Sequence, residues 1–174
     1  MAVRTKLNLA GPALIFITTS TRNFTPVFSD PRLADTVTDI FVEAIGYFRL
    51  SLVGYVLMPT HVHAMIGFRN AEVLPHFIRS FKILSSKAVK QIVNKKRYSG
   101  LFGNGRYGLW QPRYDDFVII SEKQFRIKLE YIHNNPVKAG LVSKAVDWKY
   151  SSAVNWLNDS KGILPVDKNF LWAE

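Results

Sequence analysis

Two histidines stand two residues apart in a segment that has the composition of a β-strand. His61 and His63 flank Val62, and an apolar series continues the alternation at Ala64, Ile66 and Phe68. Residues two apart on a strand project from the same face, so both imidazoles lie on one side of the strand and the apolar series lies on the other. Two imidazoles in this arrangement can share one divalent ion. Two partly exposed histidines without a common task would give the same pattern.

A tyrosine in a later helical segment lies outside the apolar stripe of that segment. The stripe is formed by Phe125, Leu129 and Ile132. At about 100° per residue, Tyr131 lies about 130° from the middle of this stripe, and Asn135 shares its face one turn later. The pattern favours a functional Tyr131–Asn135 pair, although a surface tyrosine that covers apolar area is the alternative. His133 projects away from Tyr131, and we expect it to be a structural or capping group.

These residue types suit chemistry at a phosphodiester. A tyrosine hydroxyl is a weak nucleophile unless it is activated. A divalent cation held by two histidines and an amide oxygen can polarise a phosphate. Attack by the tyrosine would then give a phosphotyrosine link and a free 3′ hydroxyl. Such a link keeps the energy of the phosphodiester, so strands could be rejoined without ATP.

Four strands and three helices are needed to position these residues. Strands are predicted over 13–20, 50–58, 61–68 and 110–120, and helices over 32–48, 71–94 and 124–135. A Ser121–Gln124 capping box begins the last helix, and Pro136 and Gly140 are predicted to stop it. The order β-α-β-β-α-β-α predicts an α+β fold: a ferredoxin-like βαββαβ antiparallel sheet, helices mostly on one face, with an added C-terminal helix that carries the tyrosine.

The second helix begins a basic, acid-free stretch of the chain. Its predicted apolar stripe is Leu74, Phe77, Ile78, Phe81, Leu84, Ala88 and Ile92. No acidic residue occurs between Glu72 and Asp115, whereas nine basic residues do: Arg79, Lys82, Lys87, Lys90, Lys95, Lys96, Arg97, Arg106 and Arg113. Aromatic residues are interleaved in the second half at Tyr98, Phe102, Tyr107 and Trp110. Cations that meet phosphates and aromatic rings that stack on bases suit single-stranded nucleic acid, so the nine basic residues and Trp110 are predicted to bind DNA. A solvated helix face followed by an ordinary loop is the alternative.

Composition narrows the class of protein. The 174 residues include 23 lysines and arginines against 13 acidic residues, a net charge of +10, and no cysteine. A hydrophobic content of 48% excludes intrinsic disorder, and the lack of cysteine excludes disulfides, thiolate zinc sites and a cysteine nucleophile. The positive charge indicates an anionic partner. We find no signal peptide and no membrane-spanning segment, so a bacterial cytoplasmic location without membrane contact is expected.

Four segments resemble those of a known family. Tyr55–His63 (YVLMPTHVH), Trp110–Ile119 (WQPRYDDFVI), Tyr131–Val142 (YIHNNPVKAGLV) and Trp148–Ser152 (WKYSS) are similar, in this order, to segments of the REP-associated tyrosine transposases. That group belongs to the single-tyrosine HUH transposases. The chain departs from the family pattern at Thr60, where Asn or Asp is usual, at Phe117, where His is frequent, and at Pro112.

The resemblance implies a transposase that cleaves and rejoins single-stranded DNA near hairpins. It implies Mg²⁺ or Mn²⁺ on His61 and His63, and Tyr131 as the nucleophile that forms a 5′-phosphotyrosine intermediate. Related transposases place a third metal ligand four residues after the tyrosine, which is Asn135 here. The implied partner is single-stranded or hairpin DNA, and both monomers and homodimers are compatible with the family. We expect a transposase domain over 1–142 and a tail over 143–174 packed on it.

Two other functions fit the same residues. A catalytically silent nucleic-acid-binding domain of this fold would use the sheet and the basic helix without cleavage. A metal-dependent hydrolase would use water as the nucleophile and would not need Tyr131.

Overall fold

The computed structural model describes residues 11–103 and 105–170 and contains the predicted four-stranded antiparallel sheet. The sheet is formed by β1 (Ala13–Ser20), β2 (Ser51–Met58), β3 (His61–Phe68) and β6 (Asp115–Ile119), in the order β2-β3-β1-β6. All neighbouring strands are antiparallel. The predicted α+β fold with a ferredoxin-like strand arrangement is therefore confirmed. The last predicted strand is shorter than expected, because Trp110 makes only an isolated bridge to Thr21 before β6 begins.

Two helices cover one face of the sheet. These are α1 (Pro31–Tyr47), which begins with Asp30 accepting a hydrogen bond from Arg32 N, and α2 (Leu74–Ile92). They pack with the alternate residues of β1 and β3, such as Ile15, Ile17, Val62 and Ala64, into the main core. The apolar stripe of α2 follows Phe81, Ser85 and Val89 rather than the predicted Leu84, Ala88 and Ile92. Leu84 and Ile92 are exposed because the buried residues recur at intervals of four after Phe81.

The opposite face is covered by α3 (Glu122–Lys138), which carries Tyr131. Its Ile132, Leu129 and Phe125 pack on a second cluster that includes Leu14, Phe16, Val56 and Met65. Leu129 approaches the sheet closely at Gly54, where a Cβ would lie 2.9 Å from Leu129 Cδ1. The sheet is therefore covered on both faces, and α3 shares the side of the histidines with Trp148, Trp156 and Phe170 of the C-terminal segment.

The end of α3 differs from the prediction. Pro136 lies inside the helix, which continues to Lys138, so the prediction that Pro136 stops the helix was wrong. The helix ends in a Schellman motif, in which Leu141 N donates to Pro136 O and Gly140 N donates to Val137 O. Gly140 adopts a φ of 69°. A proline this near the end removes only one backbone donor, and its carbonyl is an acceptor in the cap.

The chain after α3 runs along the outer edge of β2. Trp148 Nε1 donates to Leu57 O at 3.0 Å, and Trp156 Nε1, in the short helix α4 (Ala153–Leu157), donates to Val53 O at 2.8 Å. An isolated bridge joins Val56 to Ser151. These contacts occupy backbone groups that an edge strand would otherwise expose. The division into a domain over 1–142 and a tail over 143–174 stays a prediction.

The predicted loop over 95–109 contains a small hairpin. Its strands are β4 (Phe102–Gly103) and β5 (Arg106–Tyr107), and a 3₁₀ turn over 99–101 precedes them. Among the described residues, no helix is long and apolar enough to cross a membrane.

Candidate active site

The two histidines lie at the start of β3, on the sheet face that α3 covers. The register pairs His63 with Thr18 and His61 with Ser20 of β1. His63 Nδ1 is 2.7 Å from Thr18 Oγ1, and His61 Nδ1 is 2.9 Å from Thr60 Oγ1. When Nδ1 of each ring carries the proton and donates to its threonine, Nε2 becomes the lone-pair nitrogen of both rings. The two threonines thus orient the imidazoles so that Nε2 of each ring is the potential metal ligand.

Tyr131 meets this pair from α3. Its hydroxyl oxygen is 3.4 Å from His63 Nε2. The ring centroids of His63 and Tyr131 are 5.1 Å apart, and those of His61 and His63 are 4.6 Å apart. Phe16 stacks on His63 at 5.4 Å and supports Tyr131 edge-on. Tyr131 is 40% exposed, so its hydroxyl is accessible to a ligand from solvent.

Burial keeps both histidines neutral at pH 7. His63 is 5% exposed, and desolvation lowers its pKa to about 3, with smaller contributions from the charges of His61 and Lys128. Desolvation also lowers the pKa of His61. The neutral imidazole is the form that binds metal ions. The lowered pKa values therefore suit histidines that bind a cation better than histidines that act as charged groups.

Two lysines that sequence reasoning missed flank the tyrosine. Lys128 Nζ lies 4.5 Å from the centroid of the Phe16 ring, 5.1 Å from that of Phe117 and 5.8 Å from that of Tyr131. Lys138 Nζ lies 6.0 Å from the Tyr131 ring centroid. At positions i−3 and i+7, both share the helix face of Tyr131. Extending the face of Tyr131 and Asn135 in both directions along the helix would have found them.

The two imidazole nitrogens can hold a hard divalent ion such as Mg²⁺ only if DNA supplies further ligands. The described residues contain no group of three His, Cys, Asp or Glu side chains placed to hold a metal. Two imidazole nitrogens remain, and phosphate oxygens are the ligands that Mg²⁺ and Mn²⁺ take up from nucleic-acid substrates. Asn135 Nδ2 donates to Tyr131 O at 2.9 Å, a contact within its own helix. Its role as the third ligand stays a prediction.

His133 has the structural role expected of it. It is buried on the side of α3 away from Tyr131, and its Nε2 is 2.9 Å from Ser152 Oγ. Burial lowers its pKa to about 4. Ser152 Oγ also bonds the backbone of Tyr55, so His133 links α3 through the tail to β2.

The predicted DNA-binding residues do not share the face of the histidines. Arg79, Lys82, Lys87 and Lys90 lie on α2, which covers the opposite face of the sheet. Lys95, Lys96, Arg97, Arg106 and Arg113 lie in the exposed connection between α2 and β6. The four basic residues of α2 therefore lie across the sheet from the histidines. Their role in DNA binding stays a prediction.

Lys82 has structural contacts of its own. Its Nζ donates to Gln111 O at 2.8 Å and Arg113 O at 2.9 Å, and burial lowers its pKa to about 8. The Lys82 ammonium group thus links α2 to the segment before β6. Because its hydrogens are used in these bonds, Lys82 is poorly placed to bind a phosphate.

The structure places Trp110 in the core, which corrects its assignment as a base-stacking residue. It is 7% exposed, packs against Phe28 and Phe81, and donates from Nε1 to Ser85 Oγ at 2.8 Å. Tyr98 is buried as well. Trp110 and Tyr98 therefore attach the basic loop to the hydrophobic core.

Comparisons with known proteins agree with this arrangement. A family model described as "Transposase IS200 like" matches residues 14–135, which include both histidines, Tyr131 and Asn135. The chain is 27% identical over 113 residues to a REP-associated tyrosine transposase of Escherichia coli, and 26% identical over 117 residues to a Haemophilus influenzae protein provisionally given the same name. These matches cover 65% and 64% of this chain, but only 59% and 64% of the two relatives.

A solved structure of a REP-associated tyrosine transposase bound to a REP hairpin has the same fold. It matches with a TM-score of 0.73 at 19% identity, covering 98% of this chain and 95% of that one. The family model covers well over half of the sequence, in the region that holds the strands and α3. The chain therefore belongs to the IS200-like transposase family.

Proposed function

We propose that the protein cleaves and rejoins single-stranded DNA at hairpin-flanked sites through a 5′-phosphotyrosine intermediate on Tyr131. The observation that carries this proposal is the 3.4 Å separation between the Tyr131 hydroxyl and His63 Nε2, with the His61 ring beside it. A tyrosine hydroxyl and two imidazoles this close together could act on the same phosphate, which supports the proposal. Membership in the IS200-like family supports the same assignment.

His61 and His63 would hold Mg²⁺ or Mn²⁺ through Nε2. A bound divalent ion would withdraw charge from the scissile phosphate and help to orient it. The chain contributes the preset geometry, because Thr18 and Thr60 fix the orientation of the two rings. Burial keeps His63 unprotonated, so protons do not compete for its Nε2 at neutral pH.

Tyr131 would make the new bond. Its hydroxyl oxygen attacks phosphorus and releases its proton to solvent, while the bond from phosphorus to the 3′ oxygen breaks and that oxygen takes up a proton. The products are a 5′ phosphate on Tyr131 and a free 3′ hydroxyl. Attack by another 3′ hydroxyl reverses the same exchange and rejoins the strands without ATP.

Lys128 and Lys138 would stabilise the negative charge that accumulates during this exchange. The ammonium groups lie 5.8 Å and 6.0 Å from the centroid of the Tyr131 ring, on the same helix face as Tyr131. A positive charge this close favours the phosphate in its charged transition state. Phe16 and Phe117 hold the Lys128 ammonium in place through their ring faces.

Hairpin DNA is proposed as the substrate because a related structure has a REP hairpin bound. A net charge of +10 suits a polyanionic ligand. The exposed lysines and arginines in the connection between α2 and β6 are the candidates for contacts with phosphates away from Tyr131.

A labelled hairpin with unpaired flanks tests the proposal. After incubation with Mg²⁺, a denaturing gel should show a covalent protein–DNA band with label at the 3′ end of the strand, and a released fragment with label at its 5′ end. Tyr131→Phe should abolish the band, whereas Tyr47→Phe, a change at an exposed tyrosine at the end of α1, should not. Cleavage without a covalent band would indicate a hydrolase, and binding without cleavage would indicate the silent nucleic-acid-binding domain.

A further inference from the structure

An exposed phenylalanine follows β1 in a backbone conformation that phenylalanine rarely adopts. Phe24 is 63% exposed and has a φ of 50°, and Asn23 before it has a φ of 53°. Two consecutive left-handed residues, neither of them glycine, are strained, and a bulky side chain makes the strain worse. Burial of the ring does not compensate. A single exposed apolar residue needs no explanation, but one held in a strained position does.

Hydrogen bonds within residues 21–25, here called the Phe24 loop, fix this conformation. Thr21 Oγ1 is 2.8 Å from Thr25 O, and Thr25 Oγ1 donates to Arg22 O at 2.7 Å. Phe24 N donates to Thr21 O at 3.1 Å. The loop is therefore shaped by its own short polar side chains, with the Phe24 ring left outside.

The hairpin region supports the loop from the other side. Asn23 Nδ2 donates to Gly100 O at 3.0 Å, and Arg22 Nη1 donates to Arg106 O at 2.7 Å. A Cβ at Gly100 would overlap Thr25 Oγ1, and one at Gly103 would lie 2.5 Å from Arg22 Nη2. The two segments approach each other closely at these two glycines. The Phe24 ring is thereby presented on a rigid base.

This base lies at the end of the sheet that carries the histidines. Thr21 N donates to Thr60 O at 2.8 Å, directly before His61, and Ser20 pairs with His61. The adjoining connection supplies exposed cations at Arg97 and Arg106. The Phe24 loop is thus bonded to a connection that carries exposed guanidinium groups. An exposed ring and exposed cations on joined segments can bind an unpaired nucleotide, with the base on the ring and phosphates on the cations.

We infer that Phe24 is a stacking platform for one unpaired base of the DNA next to the cleavage site, with Arg97 and Arg106 near the adjoining phosphates. The inference rests on the proposed function for the identity of the ligand. Phe24 lies outside the basic stretch between Glu72 and Asp115, in which the base-stacking residues were predicted. Because every base has a π-face, this contact would be tolerant of sequence.

Binding of two fluorescein-labelled hairpins tests the inference: one is blunt, and the other has a short unpaired oligo-dA flank. Measured by anisotropy without divalent ions, Phe24→Ala should weaken binding of the flanked hairpin by about 5- to 150-fold, which corresponds to one lost base stack. Phe24→Trp should retain affinity. Neither change should affect the blunt hairpin. Tyr47→Ala removes an 82% exposed aromatic ring from the end of α1 and should bind both DNAs as the wild type does.

Phe24→Gly separates a binding role from a structural role. Glycine accepts the positive φ, so this change should leave Tm the same or raise it by about 2–4 °C while weakening binding of the flanked hairpin as much as Phe24→Ala does. Wild-type affinity of both variants for the flanked hairpin, or an equal loss on both hairpins, would overturn the inference. If the Phe24 variants bind as expected but the wild type forms no covalent band, only the cleavage proposal is overturned. If the wild-type protein binds neither hairpin, the stacking inference and the cleavage proposal are both overturned.

Discussion

Replacing Lys128 by methionine should slow covalent-adduct formation while leaving the fold intact. Methionine keeps most of the length and the apolar stem that lies over Phe16 and Phe117, and it removes the ammonium charge. In the proposed reaction, negative charge would build up at the attacked phosphate. Lys128 is the nearer of the two lysines to the Tyr131 ring, at 5.8 Å.

This distance sets the size of the effect. Two unit charges about 6 Å apart attract by about 2.8 kcal/mol at an effective dielectric constant near 20, and by about a quarter of that in bulk water. Lys128 is half-buried, so a value of about 1–3 kcal/mol is expected. Since about 1.4 kcal/mol is a factor of ten, the adduct rate should fall by about 5- to 150-fold.

The assay is single-turnover adduct formation on a hairpin substrate at saturating protein. Lys128→Arg should recover most of the rate, because it restores the charge over the same rings. Lys123→Met removes an exposed lysine from the first turn of the same helix and is the matched control. If Lys128→Met reacts as fast as Lys123→Met, the electrostatic role is refuted. A loss that arises only from weaker DNA binding, with an unchanged single-turnover rate, would refute it as well.

Three further predictions concern the elements that position the site. Gly54→Ala should lower the free energy of unfolding by about 1–3 kcal/mol, because the new Cβ meets Leu129 of α3, whereas Gly46→Ala in α1 meets nothing within 4 Å and should not; equal melting temperatures would contradict this. Trp110→Phe should cost about 1–3 kcal/mol through the lost bond to Ser85 and change hairpin affinity less than about twofold, so a large affinity loss at unchanged stability would return Trp110 to the DNA surface. His133 should make stability fall as the pH drops: the unfolded histidine takes up a proton near pH 6.5 and the buried one only near pH 4, so about 2 kcal/mol is lost by pH 5. Thermal unfolding at pH 7 and pH 5 checks this, and a His133→Gln variant with the same pH slope as the wild type would contradict it.

The strands and the first helix could be predicted from residue patterns because their signals are local. The β-branched run at 13–20 and the alternation at 61–68 match β1 and β3 in the structure. The alternation also put both histidines on one face. The contact between Tyr131 and His63 depends on the packing of α3 against the sheet, which has no local signal beyond a tyrosine outside the apolar stripe.

The layout of the positive charge could not be predicted from its position in the sequence. The basic helix follows the histidine strand directly, yet α2 packs on the apolar face of β3, the face that Val62 and Ala64 share. Which face a helix covers depends on the connections and the twist of the sheet. Phe24 could not be identified for a related reason: the loop that holds it is supported by contacts with residues about 80 positions later in the chain.

The central claim is that Tyr131 becomes linked to a 5′ phosphate. Tandem mass spectrometry of the protein after reaction with hairpin DNA and nuclease digestion locates the modified residue directly. We expect a single nucleotide remnant on the Tyr131 peptide, joined through its 5′ phosphate and dependent on added Mg²⁺ or Mn²⁺. A remnant on a different residue, or a cleaved strand with no modified peptide, would contradict it.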